Sequence, residues 1–145
     1  MQEPTQLTSF LSVAGQIGKD DIAALAKAGF ATIINNRPDN EEPGQLSAAE
    51  AEAEAKQHGL EYRYMPVTAS TITRAQVAAF QKQLLRSATP VLAHCRSGTR
   101  CYMLWAASRA LFDRESPLKL VAEAALKGYD LRSLPSLVER LEAEK

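Results

Sequence analysis

The stretch "PVLAHCRSGTR" (residues 90–100) joins a short apolar run to a tight polar turn that begins at Cys95. The run is typical of a buried strand, and the sequence predicts that a helix begins near Arg100. Cys95 therefore lies at the carboxyl end of a strand, where α/β sheets place their ligand sites. This unit of strand, turn and helix indicates both the fold class and the position of a candidate site.

The rest of the chain repeats the alternation of strands and helices. A capping box of Ser47 with Glu50 and a cap at Thr73 mark two helix starts. Alternation of this kind predicts an α/β fold with a largely parallel sheet between two layers of helices. The predicted strands are 11–16, 31–36, 60–67 and 90–94, and the predicted helices are 19–28, 47–59, 74–87, 101–112, 116–128 and 133–145.

Composition predicts one soluble globular domain that spans residues 1–145. The chain is 46% hydrophobic and 23% charged, without an internal repeat or linker. The chain has 17 basic and 17 acidic residues. This balance argues against a nucleic-acid partner, because proteins that bind nucleic acids carry a basic face. No apolar run reaches the length of a membrane span, so we expect no membrane partner.

The cellular setting is predicted from the amino terminus and the cysteines. "MQEPTQLTSF" lacks the basic cluster and apolar core of a secretory signal. The two cysteines, Cys95 and Cys101, are too close in sequence for a long-range disulfide. We therefore expect a reducing, cytoplasmic setting in which both thiols are available for chemistry.

The turn after Cys95 is suited to binding an anion. Gly98 allows the backbone to bend tightly, and the positive charge of Arg100 and the helix amino terminus favour a thiolate. Cys95 and Arg100 are the predicted catalytic residues. We expect a ring of backbone N–H groups around Cys95 to bind an anion. The ring is formed by Arg96, Ser97, Gly98, Thr99 and Arg100.

Other roles of this turn are disfavoured. An inert cysteine at a strand end would be buried in an apolar core, and two arginines within five positions are poor neighbours for such a core. His94, Cys95 and Cys101 lack a fourth ligand at zinc-site spacing, so no metal is predicted. The turn has neither a phosphate-binding glycine motif nor a serine-hydrolase elbow, and no cofactor is expected.

Several motifs in order resemble a known bacterial family. They are "INNRPDNEEPGQ", "YRYMPV", "PVLAHCRSGTR" followed by "LW", and "GYDL". The chain resembles the phosphatase-like domain of beta-lactamase hydrolase-like proteins, a family also described as sulfur transferases. The resemblance implies a fold like the dual-specificity and tyrosine phosphatases, with a mostly parallel sheet of four or five strands. It also implies a domain that occurs alone or fused to a persulfide dioxygenase-like domain.

The length of the loop distinguishes the two descriptions of the family. Tyrosine phosphatases have five residues between the cysteine and the arginine, whereas four separate Cys95 from Arg100. The resulting six-residue loop is similar to that of rhodaneses, many of which have the pattern C-R-x-G-x-R. A smaller ring of N–H groups suits the sulfane sulfur of a persulfide better than a tetrahedral phosphate.

The general acid of the phosphatases has no evident counterpart. The comparable stretch, "MPVTASTIT" (residues 65–73), contains no acidic residue. Loss of a general acid costs about 10²–10⁴-fold in rate. Asp39 is a possible replacement, as are Glu41 and Glu42, although the alternative is a solvated charged loop.

Two neighbours of the loop are candidates for supporting roles. The resemblance implies that His94 points to the other side of the strand and supports the loop by hydrogen bonding. Cys101 stands where the phosphatase pattern has a hydroxyl that donates to the thiolate, and a thiol is a weaker donor. Cys101 could also resolve an oxidised Cys95, but a small buried residue is the simpler interpretation.

These observations predict a thiol-dependent sulfurtransferase that carries sulfane sulfur as a persulfide on Cys95. The expected partners are a small anionic donor, thiosulfate or glutathione persulfide, and a thiol acceptor. A persulfide dioxygenase-type enzyme is a further possible partner. The first alternative is a cysteine phosphatase with a phosphocysteine intermediate, and the second is a non-catalytic redox sensor that uses Cys95 and Cys101.

Overall fold

A five-stranded sheet forms the centre of the chain in the computed structural model, which describes residues 3–144. The strand order is β1-β2-β5-β3-β4, and every neighbouring pair is parallel except β1 with β2. The predicted α/β fold with a mostly parallel sheet is confirmed. The strands are β1 (Thr5–Gln6), β2 (Leu11–Ala14), β3 (Thr32–Asn35), β4 (Glu61–Tyr64) and β5 (Val91–His94).

Six helices cover the sheet, and three of them follow β5 without an intervening strand, as predicted. A short 3₁₀ turn lies at Ala69–Thr71. The predicted end of the last helix, Lys145, is outside the described residues. The helices are α1 (Lys19–Lys27), α2 (Ala48–Gln57), α3 (Arg74–Arg86), α4 (Thr99–Phe112), α5 (Pro117–Leu126) and α6 (Leu134–Ala143).

Two apolar layers lie on opposite faces of the sheet, because successive side chains of a strand point to opposite sides. In β5, Leu92 packs with the residues of α1 and α2. Val91, Ala93 and then Cys95 face the larger layer formed by α3 to α6. This alternation directs the Cys95 side chain toward α4, and it directs His94 toward the opposite face.

Local capping residues set several helix starts. The predicted capping box is present, with the Ser47 hydroxyl accepting from the Glu50 N–H at 3.1 Å. Thr73 caps α3 in the same way through Gln76. Within residues 3–144, no helix has both the length and the apolar character needed to cross a membrane.

Two boundaries differ from the sequence prediction near the cysteine turn. Strand β2 ends at Ala14 because the chain leaves the sheet there, and the Gln16 N–H donates to the Arg96 carbonyl at 3.2 Å. Helix α4 begins at Thr99, two residues earlier than predicted, after Gly98 adopts φ +92°. Both differences bring backbone groups closer to Cys95.

Candidate active site

The cysteine turn lies at the carboxyl edge of the parallel strands, between β5 and the first turn of α4. Strand β5 is flanked by β2 and β3, so the turn lies near the middle of the sheet. Gly15, at the end of β2, makes a close approach to it. A Cβ atom on Gly15 would lie 3.0 Å from the Arg96 carbonyl oxygen. A larger residue at this position would have to push the Arg96 backbone away by a few tenths of an ångström, so glycine favours the contact between the two backbone segments.

Cys95 is fully buried and surrounded by hydrogen-bond donors. The Gly98 N–H donates to its Sγ at 3.1 Å. The hydrogen bond from the Cys101 thiol, opposed by burial and aided by the N–H groups of Cys101, Ser97 and Gly98, lowers the pKa of Cys95 to about 6. Because a thiolate is the reactive form of cysteine, Cys95 has the properties of a nucleophile at neutral pH.

Cys101 lies in the first turn of α4 and is completely buried. Burial, together with the neighbouring Cys95, raises its pKa well above the usual range for a thiol. Cys101 therefore keeps its proton and donates it toward Cys95. The structure places this thiol in the donor position that the resemblance gives to a hydroxyl.

Tyr129 packs against the turn at Gly98. A Cβ atom on Gly98 would lie 2.9 Å from the Tyr129 hydroxyl. The Tyr129 ring also packs against Tyr102 of α4, with ring centroids 5.1 Å apart. Tyr129 belongs to the "GYDL" motif, but no local pattern indicates that it packs against the turn.

Arg100 is held in place by a carboxylate and a carbonyl group. Glu41 accepts from Nη1 through Oε2 and from Nη2 through Oε1, both at 2.9 Å. The Val67 carbonyl also accepts from Nη1, at 3.1 Å. Among the described residues no acceptor engages Nε. The Nε edge of the guanidinium thus remains available for an anion, while its terminal edge is bound to protein.

Glu41 connects Arg100 to a second, buried arginine. Its Oε1 accepts from Nε of Arg37 at 2.8 Å. The hydrogen bond from Arg100, opposed by burial and aided by that from Arg37, lowers the pKa of Glu41 to about 2. Glu41 is therefore a carboxylate at neutral pH and does not have the proton that a general acid needs.

Arg37 anchors the loop that carries Glu41. Its side chain is fully buried, and Nη1 donates to Gln16 Oε1 at 3.1 Å. Nη2 lies 3.3 Å from Oε1 of Glu42. A buried arginine is stable only with such partners. Glu41 and Glu42 supply these partners four and five positions after Arg37.

Asp39, the possible replacement acid, is engaged at the start of a helix. Its carboxylate accepts from the Ala48 N–H at 2.8 Å, at the amino terminus of α2. Its own N–H donates to the Tyr64 hydroxyl at 2.9 Å. Asp39 thus fixes the start of a helix, where a carboxylate is favoured by the helix dipole.

His94 is buried, and no well-formed hydrogen bond joins either ring nitrogen to the described residues. The Cys95 backbone still lies close enough to raise the His94 pKa in part, so the support of the loop by His94 stays a prediction. Burial lowers the pKa of His94 to about 4, so the ring is neutral. The ring lies on the face of the sheet opposite the Cys95 side chain.

The remaining predicted anion-binding residues differ in position. The Arg96 side chain is 68% exposed and lies 4.0 Å from Glu42, so it is directed toward solvent. Ser97 and Thr99 face a cavity, and the Ser97 hydroxyl donates to the Thr99 hydroxyl at 3.1 Å. Of the four predicted anion-binding residues, Ser97 and Gly98 lower the pKa of Cys95, through their backbone N–H groups.

A cavity of about 520 Å³ opens beside the turn. None of its lining residues, all within the described part of the chain, carries a carboxylate. Nor do residues 3–144 bring three His, Cys, Asp or Glu side chains together as metal ligands. The cavity is lined by Ala69, Ser70, Ile72, Ser97, Thr99, Arg100, Met103, Ser133, Ser136, Leu137 and Arg140.

Relatives of the chain agree with this architecture. A beta-lactamase hydrolase-like protein of Xylella fastidiosa is 37% identical over 130 residues, which is 90% of this chain but 30% of that protein. The chain thus spans about a third of the length of the curated relatives it matches. The crystal structure of a "putative phosphatase" from Neisseria meningitidis is 32% identical, with a TM-score of 0.85 over 94% of this chain and 96% of that one.

More distant structures show the fold alone. The active form of Tk-PTP superposes with a TM-score of 0.74 over 99% of both chains, at 16% identity. The family model for the phosphatase-like domain of beta-lactamase hydrolase-like proteins matches residues 5–112, which include the whole cysteine turn. The chain therefore belongs to the family of beta-lactamase hydrolase-like protein, phosphatase-like domains.

Proposed function

We propose that the chain is a cysteine-dependent phosphatase that cleaves phosphate monoesters through a phosphocysteine on Cys95. The proposal rests on the arrangement at Cys95: a low thiol pKa, inward N–H groups and the free Nε of Arg100. Membership of a phosphatase-like family also supports it. This was the alternative in the sequence analysis, and the relatives favour it over sulfur transfer.

In the proposed reaction, the Cys95 thiolate attacks phosphorus and the ester oxygen leaves with the electron pair of the broken P–O bond. Backbone N–H groups of the turn and Nε of Arg100 stabilise the negative charge on the equatorial oxygens. Water then attacks the phosphocysteine, which releases inorganic phosphate and restores the thiolate.

The lack of an acid limits the substrates of such an enzyme. Glu41 is ionised, Asp39 is engaged at α2, and no carboxylate lines the cavity in the described part of the chain. A leaving group must then depart without a proton from the protein. Phenols and other acidic hydroxyls meet this condition, whereas alkyl alcohols lose about 10²–10⁴-fold in rate.

Sulfur transfer is the second candidate, and two observations favour it. The loop from Cys95 to Arg100 has six residues, and the cavity lacks an acid. In this reaction the Cys95 thiolate attacks the outer sulfur of glutathione persulfide, or of thiosulfate, and a thiolate or sulfite leaves without a proton. A thiol acceptor then removes the sulfur from the Cys95 persulfide. A persulfide dioxygenase-type partner belongs to this candidate only.

One mass-spectrometric experiment distinguishes the candidates. The purified chain is mixed with para-nitrophenyl phosphate or, separately, with glutathione persulfide, then quenched in acid and weighed intact. The phosphatase predicts steady nitrophenol release and a phosphate adduct that Cys95→Ser abolishes. Cys101→Ser, which keeps a hydrogen-bond donor beside Cys95, is the matched control and retains turnover.

Two other results of this experiment would contradict the phosphatase. Gain of one sulfur atom on Cys95, without phosphate turnover, would replace the phosphatase with the sulfurtransferase. If neither adduct forms and peroxide instead links Cys95 to Cys101, both enzymatic candidates fail. The chain would then have the properties of a redox sensor.

A further inference from the structure

The cavity beside the turn extends beyond the space that a phosphate group needs. Its volume of about 520 Å³ lies in the usual range for small-molecule sites, about 300–1,000 Å³. The turn and the start of α4 supply Ser97, Thr99 and Arg100 to its lining, and α6 supplies Ser136, Leu137 and Arg140. Cys95 itself lies beneath the turn and is not part of the lining, and an inorganic anion bound beside Arg100 would leave most of this volume unfilled.

The far side of the cavity combines an apolar floor with unused polar groups. Ile72, Met103 and Leu137 form the floor. Ser133 and Ser136 lie at the amino end of α6, and their hydroxyls make no hydrogen bond to the described residues. Free donors above an apolar surface are typical of sites that orient an organic ligand.

Arg140 supplies a positive charge at this far side. Its Nη2 donates to the Ile72 carbonyl at 2.9 Å, which holds the guanidinium against the cavity wall. Its Nη1 lies 3.4 Å from Glu144, a residue that does not line the cavity and also accepts from the Arg74 N–H. No lining residue carries a negative charge, so Arg100 and Arg140 are the two charged side chains of the lining, each with a carboxylate partner outside it.

We propose that the cavity binds a small organic substrate with two acidic groups, in which a carboxylate contacts Arg140 while the reacting anion lies at Cys95. Ser133 and Ser136 donate to the same carboxylate, and the body of the substrate rests on the apolar floor. This inference rests on the proposed function only in placing an anion at Cys95. It makes Arg140 a determinant of substrate specificity.

The test uses binding rather than turnover. Full-length Cys95→Ser protein is titrated in a calorimeter with para-carboxyphenyl phosphate and with its neutral isostere, para-carbamoylphenyl phosphate. Arg140 is 49% exposed, and pairs of this exposure contribute modestly. We therefore expect the carboxylate probe to bind about 2- to 5-fold more tightly at low salt.

Three variants in the same background locate the effect. Arg140→Gln should abolish the preference for the carboxylate, and Arg140→Lys should restore part of it. Arg132→Gln is the matched control, because Arg132 is 86% exposed, pairs with Asp130 and lies outside the cavity. It should keep the full preference. Urea midpoints identify any variant that fails to fold.

Equal affinity of the two probes, or a preference that survives Arg140→Gln, would contradict the proposal. Absence of binding by either probe would contradict it as well. Preferential binding through Arg140, together with no phosphate turnover in the wild-type chain, would instead sustain the proposal and refute the phosphatase. Failure of the substrate-binding proposal and failure of the proposed phosphatase function therefore give different results.

Discussion

Glu41 binds Arg100 end-on, with each carboxylate oxygen 2.9 Å from a different terminal nitrogen of the guanidinium. This geometry leaves Nε without a partner among the described residues. Since Glu41 also accepts from the buried Arg37, its position is fixed independently of Arg100. The loop after β3 thereby determines the direction in which Arg100 presents its free edge.

Glu41→Gln should therefore lower kcat/KM by about 10- to 100-fold, because a misplaced arginine no longer meets the transition state. The measurement is the rate of whichever Cys95 reaction the mass experiment identifies. Glu42→Gln is the control, since Glu42 lies beside Arg37 and Arg96 and does not bind Arg100. Similar losses in both variants would assign the effect to the charge of the loop.

The Cys101 thiol should control the ionisation of Cys95. Removing a donor destabilises the thiolate, so Cys101→Ala should raise the Cys95 pKa from about 6 by about one unit. Cys101→Ser keeps a donor and should show little change. Titration of the ultraviolet thiolate absorbance measures both values, with Cys95→Ser as the blank. An unchanged pKa in Cys101→Ala would leave the backbone N–H groups as the cause.

His94 should make the fold less stable in weak acid. Its pKa is 6.5 when unperturbed and about 4 when folded, so only the unfolded chain takes up a proton between these values. Stability is therefore lost as the pH falls through this window, by about 3 kcal/mol in total. Above it, His94 contributes no pH dependence.

His94→Leu provides the test of this effect. Urea unfolding at pH values across the window gives the stability of both proteins, and groups common to the two cancel in the difference. The wild-type chain should lose stability relative to His94→Leu as the pH falls. Parallel curves would show that His94 titrates alike in the folded and unfolded chains.

Gly98→Ala should disturb the turn through two separable effects. The residue has φ +92°, and a Cβ atom would lie 2.9 Å from the Tyr129 hydroxyl. We expect a loss of about 1–3 kcal/mol in unfolding free energy. Gly29→Ala is the control, because Gly29 has φ +100° with no atom within 4 Å of the added Cβ. An equal loss in both variants would mean that contact with Tyr129 contributes nothing.

Most of the architecture was predictable because it depends on local patterns. Apolar runs and capping residues such as Ser47 and Thr73 are recognisable within a few residues of sequence. They predict four strands and six helices. Strand β1 was missed because two residues are too short to produce a periodic pattern. That the chain forms a single domain over residues 1–145 stays a prediction.

Only the part of the candidate site that consists of consecutive residues could be predicted from the sequence. The turn from Cys95 to Arg100 is contiguous, so its shape can be inferred from sequence. Glu41 and Tyr129 reach the turn, and Arg140 reaches the cavity beside it, through tertiary packing, which no local pattern records. The sequence leaves the roles of Asp39, Glu41 and Glu42 open, because a charged loop does not reveal which carboxylate caps a helix and which one binds Arg100.

The contact of Tyr129 with Gly98 also bears on the boundaries of the functional unit. Tyr129 follows the segment 5–112 that the family model matches, and its hydroxyl lies 3.3 Å from Thr5 near the opposite end of the chain. A polypeptide truncated after Phe112 would retain every residue of the cysteine turn and expose Gly98 to water. We therefore expect the smallest unit with an intact turn to extend past the matched segment, as far as the residue that joins the turn to the first strand.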